Sequence, residues 1–264
     1  MVNELLVMDV DGTQPTTLES FNKTIRRILS QGSIGVSVAT GNSFRSLQGR
    51  LGYVPNVPMV LDNGGSICTI EGKNLVYHPI ETYELNTLEF VLRQKGIEYA
   101  YFSSKASRVL YFYCTSLDMM NFIKKKYTIR RSQITPDPTF FLQQCTKYRT
   151  CQIAIKVTPG VRLSIPSVLN HSYSQHVSMY GIQNRGINKG VGVLKLKQIL
   201  DIPQEEIVLA GDDYNDITMF EFVPAPVKIA VSQKSPELIE LATHVIDSPE
   251  DLGPFLEKLF LESK

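Results

Sequence analysis

Several features are scarce or missing in this sequence. Its 264 residues include only four cysteines, Cys68, Cys114, Cys145 and Cys151. No two of them form a C-x-x-C pair, and no Cys/His cluster has zinc-ligand spacing. Neither a disulfide framework nor a zinc site is expected, and free structural thiols in a reducing compartment remain. There is no apolar run of about 18 residues, so no membrane-spanning helix is expected. Met1-Val2-Asn3-Glu4 has no basic start and no apolar stretch long enough for a signal peptide. The chain reads as soluble and cytoplasmic. Net charge is only +1. That argues against a general polyanion binder, and no nucleic-acid partner is expected. No internal repeat or low-complexity segment is visible.

The composition that remains is ordinary: 43% hydrophobic and 20% charged. It excludes a disordered chain and a collagen-like repeat. The length suits about two domains at about 150 residues each, with a real core.

Hydrophobic spacing gives the organisation. Glu4 to Asp9 is a short apolar run ending in acid, read as a buried strand. Asp11-Gly12 turns the chain, and Leu18, Phe21, Ile25, Ile28 and Leu29 recur at helical spacing up to Gly32. Ile34 to Ala39 is a second strand, Ser43 to Leu51 a helix, and Met59 to Leu61 a third strand. A hairpin follows around Glu71-Gly72-Lys73. The end of the chain repeats the alternation, with helices from Asn188, Asp216, Pro236 and Pro249 and strands at Glu206–Ala210, Val227–Val231 and His244–Ile246. Such alternation predicts a parallel, doubly wound α/β sheet, Rossmann-like in its layering.

The middle differs. Helices are expected at Tyr83–Gln94 and Leu117–Lys126, and strands at Tyr99–Phe102, Val109–Cys114, Cys151–Val157 and His176–Tyr180. This is an inserted α+β domain over 82–186, leaving 1–81 and 187–264 as the α/β core. From Thr82 to Gly186 there are 14 basic residues against 5 acidic, a local +9, while the flanks carry −8. Either two solvated surfaces of opposite sign hold the domains together, or a basic wall faces an anionic ligand. Aromatic residues Tyr99, Tyr101, Phe102, Tyr111, Phe112 and Tyr113 crowd the insert's first two strands. They suit a core better than a sugar-stacking surface, because strand alternation alone explains half of them.

Three turns that carry acid or hydroxyl groups each follow an apolar strand: Asp9/Asp11, Thr40, and Asp212/Asp213/Asp216. In an open parallel sheet, ligands bind beyond the carboxyl ends of the strands, so these turns can share one crevice. Asp9-Val10-Asp11-Gly12-Thr13 by itself is also a plain Asp-Gly turn. Functionally, one of its carboxylates can attack while the other shuttles a proton. In Gly211-Asp212-Asp213-Tyr214-Asn215-Asp216, three carboxylates repel one another unless a cation is present, and hard oxygen ligands suit Mg²⁺. A calcium hand is excluded because Ile217 fills the sixth position where Gly is required. Lys189, ahead of a helix, can place an ammonium beside a phosphate. Thr40 and Gly41 can give it a hydroxyl and backbone N–H groups. Taken singly, Lys189 also reads as an exposed lysine and Thr40 as a helix cap.

In combination, D-V-D-G-T, T-G-N, the Lys189 segment and G-D-D-Y-N-D stand in the order and at about the spacing of the four motifs of the haloacid dehalogenase superfamily. The large insert after the second motif, and the run Ala242-Thr-His-Val-Ile-Asp247, resemble the Cof-type sugar-phosphatase branch with its α/β cap. The resemblance implies that Asp9 is a nucleophile forming an aspartyl-phosphate, and that Asp11 protonates the leaving alcohol and then activates water. It implies that Asp9, the Asp11 backbone carbonyl and Asp212 hold Mg²⁺, supported by Asp213 or Asp216. The Val10 backbone, Thr40, Gly41, Lys189 and Asn215 would bind the phosphoryl group of a small phosphorylated substrate. Two positions depart from the pattern. Asn42 stands where Cof-type members commonly have Arg, closer to archaeal phosphoglycolate phosphatases. Gln14 stands where Leu is usual, expected to matter for packing only. The expected activity is a Mg²⁺-dependent phosphatase. Alternatives are a phosphomutase of the phosphomannomutase type, using Arg130/Arg131 and Lys147/Arg149 to grip a second phosphate, and a non-catalytic binding protein on the same fold.

Overall fold

The structure, a computed structural model, describes residues 2–16, 18–104, 109–127, 129–174 and 177–262. The first segment runs β1 (Glu4–Met8), α1 (Leu18–Ser30), β2 (Ile34–Val38), α2 (Phe44–Leu47), β3 (Met59–Leu61), β4 (Ser66–Cys68) and β5 (Asn74–Tyr77). The middle continues with α3 (Thr82–Leu92), β6 (Ile97–Ser104), β7 (Val109–Tyr113), α4 (Leu117–Tyr127), β8 (Ile134–Thr135), α5 (Pro138–Lys147), β9 (Gln152–Val157), β10 (Asn170–Ser174) and β11 (Met179–Gln183). The last segment holds α6 (Lys189–Leu200), β12 (Ile207–Gly211), α7 (Ile217–Phe222), β13 (Val227–Val231), α8 (Pro236–Leu241), β14 (His244–Ile246) and α9 (Leu252–Glu257). Among the described residues no helix is long and apolar enough to cross a membrane.

Contacts divide the chain into two units, Met1–Val76 with Asn188–Lys264, and Tyr77–Ile187. In the first, five strands pair in the order β14-β13-β12-β1-β2, all parallel. A parallel bridge between Ala39 and Val60 brings β3 alongside β2. The alternation along β1 shows why helices cover both faces. Leu5 and Val7 enter one apolar cluster with Val193 and Leu196 of α6 and Phe220 of α7. Leu6 and Met8 enter the other with Phe21, Ile25 and Ile28 of α1 and Leu252 and Leu256 of α9. Successive side chains point to opposite faces, so a strand apolar at every position needs cover on both. Each such side chain contributes about 1.5–3 kcal/mol by burial.

The second unit is a six-stranded sheet in the order β10-β11-β9-β6-β7-β8, antiparallel except for the β7–β8 pair. Leu85, Leu88 and Val91 of α3 and Phe141 and Cys145 of α5 pack on one face, against Phe102, Ile153, Ile155 and Tyr180. On the other face Tyr99 and Phe112 meet Ile123 of α4. Tyr99, Phe102, Phe112 and Tyr113 are buried, and Tyr101 and Tyr111 are half-buried. The aromatic strands are therefore mainly core. All four cysteines are buried, and no disulfide joins them.

Some elements depart from the sequence-based expectations. The second helix stops at Leu47, where Ser43 caps its N-terminus and Gly49 turns the chain at φ +76. The strand expected at His176–Tyr180 lies at Met179–Gln183 instead, and His176 is outside the described residues. Three elements were not anticipated: α5, β8 and β10. Asp137 caps α5 and Pro138 opens it, a start signal present in the sequence. The strand Asn170-His-Ser-Tyr-Ser174 lies at a sheet edge and has no apolar alternation to reveal it.

Candidate active site

The strands β1, β2 and β12 are neighbours and parallel, so the turns that leave their carboxyl ends converge. Asp9 leaves β1 with its backbone N–H still donating to Ala210 of β12, 2.9 Å away. Thr40 leaves β2 with its N–H donating to Val60 at 3.0 Å. Asp212 follows β12 directly. Lys189, the first residue of α6, comes from the far end of the chain, and Asn188 caps that helix through its side chain.

The Lys189 ammonium is wholly buried between two carboxylates. Its Nζ donates to Asp9 Oδ1 at 2.6 Å and to Asp216 Oδ1 at 2.5 Å. Burial by itself lowers its basicity. The facing Asp216 and Asp9 charges outweigh that, so its basicity rises above the ordinary lysine value. Asp216 Oδ2 accepts from the backbone N–H groups of Asp212 and Asp213 at 3.0 and 3.2 Å. Both Asp216 oxygens are thus engaged, one by the ammonium and one by its own loop. Asp213 Oδ1 instead accepts from Tyr214 N at 2.8 Å.

Asp212 takes Thr13 Oγ1 on Oδ1 at 2.8 Å and Lys234 Nζ on Oδ2 at 2.9 Å. Burial, then the nearby Asp216 charge, pushes its carboxyl up to about 6. Asp9 is likewise pushed above the usual carboxylate range, first by burial, with Lys189 opposing and Asp216 and Asp212 adding repulsion. The turn is tight. Gly12 has φ +90, and a Cβ there would lie 2.2 Å from Asp212 Oδ2. Only glycine tolerates both conditions.

Carboxylate oxygens of Asp9, Asp212 and Asp216 lie within 4.8 Å of one another. Three buried carboxylates face the two ammonium groups of Lys189 and Lys234. A hard divalent cation fits this donor set, because it would relieve the remaining repulsion with oxygen ligands.

The other expected residues lie around this cluster. Val10 packs with Val38, Leu47 and Leu61, leaving its backbone in the turn. Gly41 sits so close to the Asn63 amide that a Cβ would be 3.1 Å from Nδ2. Asn215 Nδ2 donates to Asn63 Oδ1 at 3.3 Å. Asp11, by contrast, is exposed and turned to Arg50 and Asn42. Its carboxylate is not in the buried cluster.

Gln14 corrects an expectation. It does not merely fill space: its buried Nε2 donates to the Asp9 carbonyl oxygen at 3.1 Å and to Tyr53 Oη at 3.0 Å. It fixes the backbone of the proposed nucleophile. Burial also raises the Tyr53 phenol well above its usual range, so Tyr53 stays neutral. Thr13, Arg50, Asn63 and Lys234 were not singled out from the sequence. Thr13 lies within a recognised motif and Asn63 within the Asp62-Asn63-Gly64-Gly65 turn after β3, whereas Arg50 and Lys234 carry no local signal.

Comparison with known proteins agrees with this geometry. The family model described as haloacid dehalogenase-like hydrolase matches residues 6–256. Phosphoglycolate phosphatase 2 of Saccharolobus solfataricus is 38% identical over 69 residues, spanning 26% of this chain and 28% of that protein. A phosphoglycolate phosphatase of Methanosarcina acetivorans is 38% identical over 82 residues, 31% of this chain and 35% of its own length. The chain therefore aligns with only about a third of these relatives. The fold of BT1666 from Bacteroides thetaiotaomicron, a structure described among phosphatases of this superfamily, superposes with TM-score 0.75 at 17% identity over 98% of this chain and 95% of that one. The strand order, the converging turns and the family match lead to one conclusion: this chain belongs to the haloacid dehalogenase-like hydrolases.

Proposed function

We propose that the chain is a Mg²⁺-dependent phosphatase acting on a small phosphorylated metabolite. The observation that carries this is the buried constellation of Asp9, Lys189, Asp212 and Asp216 at the ends of parallel strands. Asp9 is the nucleophile. Its Oδ1 accepts the Lys189 ammonium, while Oδ2 has Thr13 Oγ1 at 3.5 Å. Attack on phosphorus forms an aspartyl-phosphate and releases the alcohol, which takes a proton from Asp11. Asp11 then takes a proton from the water that cleaves the acyl phosphate.

Asp9, Asp212 and the Asp11 backbone carbonyl would hold the metal. Asp216 supports it by fixing Lys189 and the loop that carries Asp212, and Asp213 holds that loop's turn. The bound metal would supply Lewis-acid neutralisation of the phosphoryl oxygens. Lys189 screens the Asp9 carboxylate from the approaching dianion, which is where most phosphoryl-transfer catalysis lies. Thr40, Gly41, Asn215 and the Val10 backbone bind the phosphoryl oxygens. The insert over 82–186, with its excess of basic residues, is the cap that selects the substrate. Partial matches to phosphoglycolate phosphatases make phosphorylated hydroxy acids, beside sugar phosphates, the first class to try.

The test is phosphate release by purified protein with Mg²⁺ against sugar phosphates, sugar-acid phosphates, nucleotides and phosphoglycolate. Release that EDTA abolishes is expected for at least one class. No release from folded protein with any of them overturns the assignment, and a requirement for a bisphosphate activator moves it to a mutase.

A further inference from the structure

Asp11 is held by Asn42, the last residue of the T-G-N motif, and by Arg50, which no motif includes. Arg50, three residues past α2, forms a two-pronged ion pair with it: Nη2 donates to Oδ1, and Nη1 lies 3.4 Å from Oδ2. Asn42 Nδ2 donates to the same Oδ2 at 2.6 Å and to Thr40 Oγ1 at 2.9 Å. Arg50 Nη1 donates in turn to Asn42 Oδ1 at 2.9 Å. Arg50, Asp11 and Asn42 thus close a ring, and Asn42 fastens it to Thr40.

The ring lies open to water. The Arg50 and Asp11 side chains are 41% and 56% exposed. An ion pair this exposed adds little to stability. Its position is more telling. Both Asp11 oxygens accept from these donors, yet a group that exchanges a proton with the ester oxygen must give up at least one of them. On the role proposed for Asp11, the guanidinium paired with it stands beside the carboxylate that serves the leaving group. A guanidinium fork matches a carboxylate or a phosphate and has no neutral substitute of equal strength. A leaving alcohol that bears its own anionic group can therefore take Asp11's place on Arg50. One anion replaces another, the guanidinium stays paired, and Asp11 is released for proton transfer. A neutral alcohol offers no such exchange.

We propose that Arg50 is a specificity residue: it selects phosphate monoesters whose leaving alcohol carries an anionic group, by exchanging Asp11 for that group. This rests on the phosphatase assignment and names its substrate class. No covalent step is added, and the proton Asp11 gives goes to the ester oxygen as before.

The experiment compares matched esters with Mg²⁺: 2-phosphoglycolate against ethyl phosphate, and 3-phosphoglycerate against glycerol 1-phosphate. The native protein should favour the carboxylate member of each pair in kcat/KM by about tenfold or more, as expected for hydrogen bonds between charged groups. Arg50→Met, which keeps the apolar stem, should collapse that ratio, and Arg50→Lys should restore part of it. A merely structural role would lower both members together and leave the ratio untouched. A ratio near one in the native protein, or the native ratio retained in Arg50→Met, overturns the proposal.

Calorimetric binding of the same pairs to Asp9→Asn protein, with and without Arg50→Met, separates the two claims. Arg50-dependent preference in binding, without turnover by the native protein, keeps the anion site and sinks the phosphatase. Turnover with no preference in either readout sinks the anion site alone.

Discussion

Lys189 and Asp9, 180 residues apart in the chain, form an ion pair in which the lysine side chain has no exposed surface. The same ammonium holds Asp216. One cation thus ties the start of the sheet to the loop after β12. It also sets the charge of the pocket, since without it the three buried carboxylates would keep, among the described residues, only the Lys234 ion pair.

Lys189→Met should destabilise the protein by about 3–5 kcal/mol, the cost of removing one partner from a buried ion pair. Denaturant unfolding reads this. Adding Asp216→Asn to that variant should recover part of the loss, because a buried unpaired charge disappears. A fully additive double mutant would show that the pair does not interact.

Asp9→Asn removes the nucleophile and one member of the crowded acid cluster. Turnover should fall by on the order of 10⁴-fold or more, as for loss of a catalytic nucleophile. Cooperative thermal unfolding should persist, since Lys189 keeps Asp216. Substantial Mg²⁺-dependent activity in this variant would show that another group attacks phosphorus.

Mg²⁺ should raise the melting temperature, because it binds folded protein through acids brought together only by the fold. At 100 times its Kd the gain is about 2.7 kcal/mol. EDTA should reverse it, and Asp212→Asn should abolish it. An equal Mg²⁺ response in Asp212→Asn protein would remove Asp212 from the ligand set.

Gly12→Ala tests the fit of the turn. A Cβ at φ +90 is strained, and this one would lie 2.2 Å from Asp212 Oδ2. We expect a loss of about 1–3 kcal/mol, and a blunted Mg²⁺ response, because the Asp212 carboxylate has to move. Native stability in this variant would show that the turn relaxes freely.

The layering of the α/β unit was legible from local patterns. Leu5 to Met8 is apolar at consecutive positions, which demands cover on both faces. Gly12 marks the turn that follows. Asp9, Thr40, Lys189 and Asp212 each stand one step beyond an apolar strand or at a helix start. Their nearness follows from β1 lying between β2 and β12. The motif order announced that arrangement, and the parallel sheet realises it. Strand β10 was not legible, because an edge strand with polar side chains has no burial pattern.

Side-chain pairing was decided by tertiary structure alone. Asp212, Asp213 and Asp216 are chemically alike in the sequence. Only the fold turns Asp216 onto Lys189 and leaves Asp213 capping its own turn. In the sequence Gln14 is only a replacement for Leu, and the fold is what sets its amide on the Asp9 carbonyl. Arg50 carries no motif, and α2 and the following turn are what carry it back to Asp11 and Asn42. Periodicity and turn chemistry act between neighbours along the chain, so the sequence by itself determined the strands, the turns and the residue types at their ends. Hydrogen bonds between groups 39 to 199 residues apart depend on where whole elements pack, and that only the tertiary structure decided.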